Sequence, residues 1–275
     1  MSFKLALCQM LVKSDKQENL KKAESMIREA HQGGARMIAL PEMFNCPYDS
    51  AVFQAFAEVA DGETVKRMSA LAKELGIYLI SGSIPEKSDV AIYNTCFVFD
   101  PKGQIIGKHR KVHLFDIAIK GGIQFKESSV LGRGNDITVV ETEFCKIGIA
   151  ICYDMRFPEL IRLMSLKGAK LIIVPGAFNM TTGPAHWELT MKARALDNQV
   201  YFAAVSPARD MTASYHAYGH SGVVNPWGAF SGQIDEKEGI VFADIDLDYL
   251  EEIRQQLPLM LHRREDVYKL EGVEK

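Results

Sequence analysis

A cysteine ends one apolar, strand-like segment of the chain. Residues 146–160 read KIGIAICYDMRFPEL, in which isoleucine alternates with small residues before Cys152. β-branched side chains favour a strand, and Pro158 favours the first turn of a helix. Because ligands of α/β proteins bind at the carboxyl ends of strands, we expect the thiol of Cys152 to be presented as a nucleophile.

Hydrolysis through a cysteine also requires a group that takes and returns the thiol proton, and donors that bind an oxyanion. Histidine is the usual base, but none of the available histidines lies in a papain-like or caspase-like context. They are His109, His113, His186, His216 and His220. Glu42 is the better candidate, because it follows a buried strand at residues 37–40 and neighbouring strand ends converge on one crevice. A loop carboxylate that caps the next turn is the alternative.

Lys111 is the candidate cation. It lies in the basic segment KHRKVH, residues 108–113, where solvated surface charge is the simplest interpretation, and we accept that interpretation for Lys108 and Arg110. A thiol and a carboxyl group in one dry site oppose each other's ionisation, and a nearby ammonium group makes both ionised forms tolerable. Spacing alone leaves the role of Lys111 open.

Alternating strands and helices surround these residues. Hydrophobic periodicity predicts helices at residues 17–31, 65–75, 158–167, 186–198 and 247–257. Strands are predicted at residues 3–9, 37–40, 77–83, 94–99, 104–109, 137–141, 145–151, 170–175, 200–206, 221–226, 229–234 and 239–246. Residues 115–136 form a long connection that we expect to be irregular.

The number of helices decides between sheet arrangements. Four or five inner helices are too few to cover both faces of one flat sheet of about eleven strands. We therefore predict an α/β fold in which two sheets pack face to face with helices outside. No linker or low-complexity segment divides the chain, so we treat residues 1–275 as a single domain.

Composition excludes several function classes. The chain has 32 Lys and Arg against 35 Asp and Glu, and this formal net charge of −3 argues against nucleic-acid binding. The apolar start is too short for a membrane span and lacks a secretory cleavage pattern. Five cysteines without a C-x-x-C spacing suit free thiols in a reducing compartment, for which we expect the cytoplasm, with an organellar matrix as the alternative. His216 and His220 lack the further ligands that a metal site needs.

Three spaced blocks resemble the nitrilase superfamily of carbon–nitrogen hydrolases. They are ALPEMF around Glu42, KHRKVHLFD around Lys111 and GIAICYDMRFPEL around Cys152. A closer resemblance, to the omega-amidase branch, extends over nearly the whole chain. It is carried by FNCPY, SGSIPE, YNTC, KVHLFDI, FKES, ICYDMRF, PGAFNMTTGPAHWEL, DNQVY, SPARD, HSGVVNPWG and DIDL. The resemblance implies a four-layer αββα sandwich of the nitrilase type and a homodimer assembled through the helices beside the cysteine and the C-terminal segment.

The resemblance also implies roles for individual residues. Glu42 is the general base, Lys111 stabilises the oxyanion, and Cys152 is the nucleophile of a Glu-Lys-Cys triad. Glu127, in FKES, corresponds to a second glutamate that positions Lys111 and the substrate; an exposed loop acid is the alternative. The backbone N–H of Tyr153 is expected to complete the oxyanion hole with Lys111. This chemistry needs neither a metal nor an organic cofactor.

The substrate is the point at which alternatives remain. Resemblance to the omega-amidases implies hydrolysis of the terminal amide of 2-oxoglutaramate and 2-oxosuccinamate, with Arg156 clamping the substrate carboxylate. A salt bridge from Arg156 to Asp154 or Glu159 is the alternative. Other residues expected to shape the pocket are Phe44, Tyr48, Phe178, Thr181 and Thr182, although both phenylalanines suit a core equally well. A deaminated-glutathione amidase, an N-carbamoyl amidase and a catalytically silent scaffold are the other functions considered, and the role of Cys46 stays open.

Overall fold

The computed structural model describes residues 1–121 and 123–273. Gly122, Glu274 and Lys275, which the single-domain prediction includes, lie outside the described residues. The helices are α1 (Lys16–Gln32), α2 (Phe53–Phe56), α3 (Glu63–Leu75), α4 (Pro158–Leu166), α5 (Gly183–Asn198) and α6 (Leu247–Gln256). None of the helices in the described ranges has the length and apolar composition needed to cross a membrane.

The strands alternate with these helices along most of the chain. In chain order they are β1 (Ser2–Gln9), β2 (Met37–Ala39), β3 (Tyr78–Ile80), β4 (Ile84–Lys87), β5 (Ile92–Phe99), β6 (Ile105–Arg110), β7 (Asp116–Ala118), β8 (Gln124–Lys126), β9 (Leu131–Gly132), β10 (Val139–Glu141), β11 (Lys146–Ile149), β12 (Leu171–Pro175), β13 (Tyr201–Val205), β14 (Gly222–Val224), β15 (Phe230–Gln233) and β16 (Gly239–Asp246). Two short helical turns of the 3-10 type cover Glu127–Ser129 and Cys152–Arg156.

These strands form two main sheets. The first has the order β16-β1-β2-β3-β5-β4, with β6 and β9 also paired to β5, and the second has the order β10-β11-β12-β13-β14-β15. Strands β1, β2 and β3 are parallel, as are β11, β12 and β13. The carboxyl ends of each parallel set therefore lie at one edge of its sheet, where the sequence places Glu42 and Cys152.

Alternate residues of β1 show how the layers pack. Leu5 and Leu7 belong to one hydrophobic cluster with Ile149 and Ile173 of the second sheet. Ala6 and Cys8, on the opposite face of β1, pack in another cluster with residues of α1 and α3. Residues of α4 and α5 complete the first cluster from the other side of the second sheet. The predicted four-layer αββα sandwich is confirmed.

Several features of the fold were not predicted from the sequence. Strand β16 leaves the second half and pairs with β1 in the first sheet. Strand β4 was not expected, and α5 begins at Gly183 because Pro184 suits its first turn. The connection expected to be irregular contains the hairpin β7–β8 and the short strand β9.

Candidate active site

The 3-10 turn Cys152–Arg156, called the nucleophile turn after the predicted role of Cys152, holds this residue in an unusual backbone conformation. Cys152 begins the 3-10 turn after β11 and has φ +47°, in the left-handed region that costs a non-glycine residue about 1–3 kcal/mol. Gly176 packs closely against this turn, since a Cβ there would lie 3.3 Å from both the Cα of Cys152 and the ring of Trp187. The turn continues into α4, whose first residue is Pro158.

Glu42 follows β2, at the edge of the first sheet where its parallel strands end. Its side chain is fully buried, and Oε1 accepts hydrogen bonds from Asn94 Nδ2 at 2.8 Å and from Lys111 Nζ at 2.9 Å. Oε2 is buried without a hydrogen-bond partner of normal geometry among the described residues. Burial raises the pKa of Glu42 above its usual range, against the opposing effects of Lys111 and of hydrogen bonding to the Cys152 thiol.

Lys111 directly follows β6 and is also fully buried. Its Nζ lies 2.9 Å from Glu42 Oε1 and 2.9 Å from Glu127 Oε1, and it contacts the Tyr48 hydroxyl at 3.4 Å. Burial alone would lower the pKa of Lys111, but Glu127 and Glu42 raise it well above its usual value. The ammonium group is therefore charged at neutral pH.

Glu127 is buried in the 3-10 turn after β8, not exposed in a loop. Its Oε1 accepts a 2.7 Å hydrogen bond from the Tyr48 hydroxyl, and its Oε2 accepts a 2.6 Å bond from the Phe115 backbone N–H. The remaining interaction of Oε1 is the ion pair with Lys111. Glu127 and Glu42 thus bind the ammonium group together.

The Cys152 thiol lies in the electrostatic field of these groups. Burial raises the pKa of Cys152 well above its usual value, and the negative charge of Glu42 adds to this effect. Lys111 and a hydrogen bond from the Ala177 backbone lower it only in part. These effects together favour the protonated thiol, and Glu42 is the carboxyl group that interacts with it.

The start of the nucleophile turn offers a free donor. The first N–H groups of a helical turn lack partners inside the turn. In the described part of the chain, the Tyr153 N–H donates to no backbone carbonyl. This N–H and the Lys111 ammonium group are the two donors that the sequence analysis predicts for an oxyanion hole.

Arg156 ends the same turn. Its Nη1 lies 3.0 Å from His186 Nδ1, and its guanidinium carbon lies 4.3 Å from the ring centroid of Phe178. Among the described residues no carboxylate pairs with Arg156, so neither Asp154 nor Glu159 forms the alternative salt bridge. Its Nε is buried without a hydrogen-bond partner in the same part of the chain.

The other expected pocket residues occupy different surroundings. Tyr48 lines a cavity of about 50 Å³ beside Glu42, whereas Phe44 packs in the core between the first sheet and helices α1 and α3. Phe178 packs edge-on against Trp187, with ring centroids 4.9 Å apart. Thr182 is buried and Thr181 is exposed, and both donate their backbone N–H to Asn179 Oδ1. The placement of Phe44 argues against a pocket role, and Phe178 also belongs to a hydrophobic core cluster.

The family model described as carbon–nitrogen hydrolase matches residues 4–255. The chain belongs to the carbon–nitrogen hydrolase family. This hydrolase is 55% identical over 269 residues to omega-amidase NIT2 of Xenopus tropicalis, with 98% of each chain covered. It is 51% identical over 270 residues to omega-amidase NIT2 of Homo sapiens, again with 98% of each chain covered. The solved structure of Saccharomyces cerevisiae Nit3, a member of branch 10 of the nitrilase superfamily, matches with a TM-score of 0.88 and 42% identity, covering 96% of this chain and 97% of that chain.

These relatives confirm the predicted membership of the nitrilase superfamily and its omega-amidase branch. This carbon–nitrogen hydrolase is an enzyme that acts on carbon–nitrogen bonds of small-molecule amides. The catalytically silent scaffold is therefore not retained.

Several contacts in the hydrolase site were missed by sequence reasoning. Asn94 binds the candidate base, and the ring of Tyr215 lies 4.6 Å from that of Tyr48 while its hydroxyl donates to the Ala177 carbonyl. Asn94 lies within YNTC, one of the blocks that carry the resemblance, so its family context offered a signal. No pattern in the residues around Tyr215 indicates a site.

The interpretation of Lys108 and Arg110 as solvated charge is wrong for Arg110. Its Nε and Nη2 bind the buried carboxylate of Glu86 at 2.8 and 2.9 Å, and its guanidinium group stacks on Tyr93. Lys108 is more exposed and reaches Glu86 at 3.4 Å. Alternation along β6 explains the difference from Lys111, which lies one residue beyond the strand.

Cys46 is buried, and its Sγ lies 3.9 Å from the Met43 sulfur. Burial raises the pKa of the Cys46 thiol far above its usual value. It is therefore a protonated, poorly nucleophilic thiol.

Proposed function

We propose that this hydrolase removes ammonia from the terminal amide of 2-oxo dicarboxylic acid monoamides such as 2-oxoglutaramate and 2-oxosuccinamate. This is the reaction of an omega-amidase, the name that its relatives carry. A buried thiol, a buried carboxyl group and a buried ammonium group in one site support acyl transfer through a thioester.

In the first half-reaction, Glu42 takes the thiol proton as the sulfur of Cys152 attacks the amide carbon. The pKa values of both groups are raised by burial, which suits exchange of a proton between them. The oxyanion that forms is bound by Lys111 and by the Tyr153 N–H. Glu42 then protonates the amide nitrogen, the carbon–nitrogen bond breaks, and ammonia leaves an acyl-thioester on Cys152.

In the second half-reaction, a water molecule replaces ammonia. Glu42 takes one of its protons as the oxygen attacks the thioester carbon, and the same two donors bind the oxyanion. The carbon–sulfur bond breaks, Glu42 returns the proton to the sulfur, and the dicarboxylic acid is released. Glu42 and Cys152 end in their starting protonation states.

The observation that carries the substrate assignment is that the guanidinium group of Arg156 has no carboxylate partner among the described residues. A half-buried arginine without a carboxylate partner in the described chain is a suitable receptor for a substrate carboxylate. Arg156 lies four residues after Cys152 at the end of the same turn. A carboxylate bound to Arg156 would leave the amide at the other end of a short chain over the sulfur.

Replacing Arg156 tests this assignment. Arg156→Ala is expected to lower kcat/KM for 2-oxoglutaramate roughly 100-fold, because charge-assisted hydrogen bonds contribute about 1.5–3 kcal/mol. Activity on neutral amides should change far less. Arg162→Ala is the control, since it removes a half-buried arginine from the following helix. Unchanged selectivity for acidic amides in Arg156→Ala would contradict the proposal that Arg156 binds the substrate carboxylate.

A substrate panel separates the omega-amidase from the two other amidases. Ammonia release is measured with 2-oxoglutaramate, deaminated glutathione, glutamine and N-carbamoyl amines under identical conditions. The highest kcat/KM is expected for 2-oxoglutaramate. Equal values across the panel, or a preference for deaminated glutathione or a carbamoyl amine, would contradict the substrate assignment.

We also propose that the hydrolase forms a homodimer through α4, α5 and the C-terminal segment. Exposed leucines support this surface: Leu166, Leu189, Leu196 and Leu261.

For the compartment of the hydrolase we propose the cytoplasm, with an organellar matrix as the alternative, because all five cysteines are free thiols.

A further inference from the structure

Asp154 is a fully buried carboxylate that the mechanism above does not use. Its Oδ1 accepts hydrogen bonds from the backbone N–H and the ring Nδ1 of His113, each at 2.8 Å. Its Oδ2 accepts bonds from the Ile151 N–H at 3.0 Å and His109 Nε2 at 3.1 Å, and a longer one from the Val112 N–H at 3.4 Å. Donors from two separate segments of the chain thus converge on one carboxylate.

These donors flank the two groups that must act on the same substrate carbonyl. Ile151 directly precedes Cys152, and the other donors lie within two residues of Lys111, on both of its sides. Because Cys152 has a strained left-handed backbone, its turn needs contacts that hold it in place. The Asp154 carboxylate supplies one such contact, and it also binds the segment that carries Lys111.

The chemistry of Asp154 suits this arrangement. Burial alone would raise the pKa of Asp154, but hydrogen bonds from His109 and His113 hold it well below its usual range. The group is therefore ionised at neutral pH, and an ionised carboxylate only accepts hydrogen bonds, as this set of donors requires. His109 is also fully buried, and its Nδ1 lies 2.9 Å from Thr138 Oγ1.

We propose that Asp154 is a positioning residue that sets the placement of the Cys152 sulfur relative to the Lys111 ammonium group. It acts through these two groups and does not touch the substrate. The proposal rests on the amidase chemistry proposed above for Cys152 and Lys111.

Asp154→Asn tests the proposal with little change in side-chain size. One acceptor oxygen becomes an NH₂ donor that faces other donors, so the two segments are no longer held together. We expect kcat for 2-oxoglutaramate to fall about 100-fold with KM within about threefold, because a misplacement of about 1 Å costs about that much in rate. Alkylation of Cys152 by iodoacetamide should slow about tenfold, since Lys111 then stabilises the thiolate less.

Glu86→Gln is the matched control. Glu86 is also buried and accepts bonds from Thr95 and Arg110, but among the described residues none of its hydrogen bonds or ion pairs involves the nucleophile turn. We expect a similar loss of thermal stability and a kcat within about threefold of the unaltered enzyme. An equal loss of kcat in Glu86→Gln and Asp154→Asn would show that Asp154 only stabilises the fold.

His113→Phe keeps the test decisive if Asp154→Asn does not fold. It removes one donor to Asp154 and retains stacking on Phe157, whose ring centroid lies 3.6 Å away. We expect kcat to fall about fivefold with KM unchanged, since one of several donors is lost. Unaltered kcat in His113→Phe, or a rise in KM alone, would overturn the proposal. If the unaltered enzyme releases no ammonia from the amide, the proposed function fails, whereas the alkylation rates still test the positioning role.

Discussion

In the proposed mechanism one carboxyl group, Glu42, exchanges a proton first with a thiol and then with water. Burial raises the pKa of Glu42, Lys111 acts against burial, and the charge of Glu127 acts with it. A base with a raised pKa transfers protons efficiently near neutral pH. We therefore expect kcat/KM to rise with pH through a value above the ordinary glutamate pKa of about 4.3.

Glu127→Gln tests this electrostatic balance at the residue scale. Removing the charge of Glu127 makes ionisation of Glu42 easier, so the rising limb of the pH profile of kcat/KM should move to lower pH. The plateau should also fall, because Lys111 loses one of its two anchors. Glu63→Gln, an exposed carboxylate on α3, should leave the limb in place. A limb that moved to higher pH in Glu127→Gln would contradict the assignment of Glu42 as the base.

At the scale of secondary-structure elements, the sequence predicts the strand ends well. The buried segments before Glu42 and Cys152 have clear apolar patterns, and the structure brings the residues that follow them together with Lys111. Strand β4 was missed because three of its four residues are buried and one of them is Pro85, so no alternation is visible.

Contacts between distant elements could not be predicted in the same way. Asn94 binds Glu42 across 52 positions of sequence, and no local pattern encodes that contact. Glu127 lies in a connection with little periodicity, and its burial depends on Tyr48 and the Phe115 N–H. Such residues were found only through resemblance, as Glu127 was, or in the structure, as Asn94 was.

The nucleophile turn is held from two sides. Asp154 binds its start, and Arg194 of α5 donates to the carbonyls of Met155 and Arg156 at 2.9 and 3.1 Å. A reactive thiol on a strained backbone needs such support, because small displacements reduce the rate of acyl transfer steeply.

On the scale of the whole molecule, the site joins the two halves of the chain. Glu42 and Lys111 come from segments of the first sheet, whereas Cys152 follows a strand of the second. The number of helices predicts two packed sheets, but the crossing of β16 into the first sheet is a pairing of distant segments that local patterns do not specify.

Leu189→Glu tests the proposed homodimer. Leu189 on α5 is 67% exposed, and a charge there should disrupt a contact between apolar helix faces. Light scattering after size-exclusion chromatography is expected to give a dimer mass for the unaltered chain and a monomer mass for the variant. Val90→Glu is the matched control, since Val90 is 87% exposed in the turn between β4 and β5. A monomeric unaltered chain, or a dimeric Leu189→Glu variant, would contradict the proposed interface.

Cysteine catalysis of amide hydrolysis is tested most directly by ammonia release from 2-oxoglutaramate with the unaltered chain and with Cys152→Ala. The unaltered chain should release ammonia, and the variant should be at least about 10⁴-fold slower, because loss of a nucleophile removes the covalent route. A folded Cys152→Ala protein that still released ammonia within tenfold of the unaltered rate would contradict the mechanism.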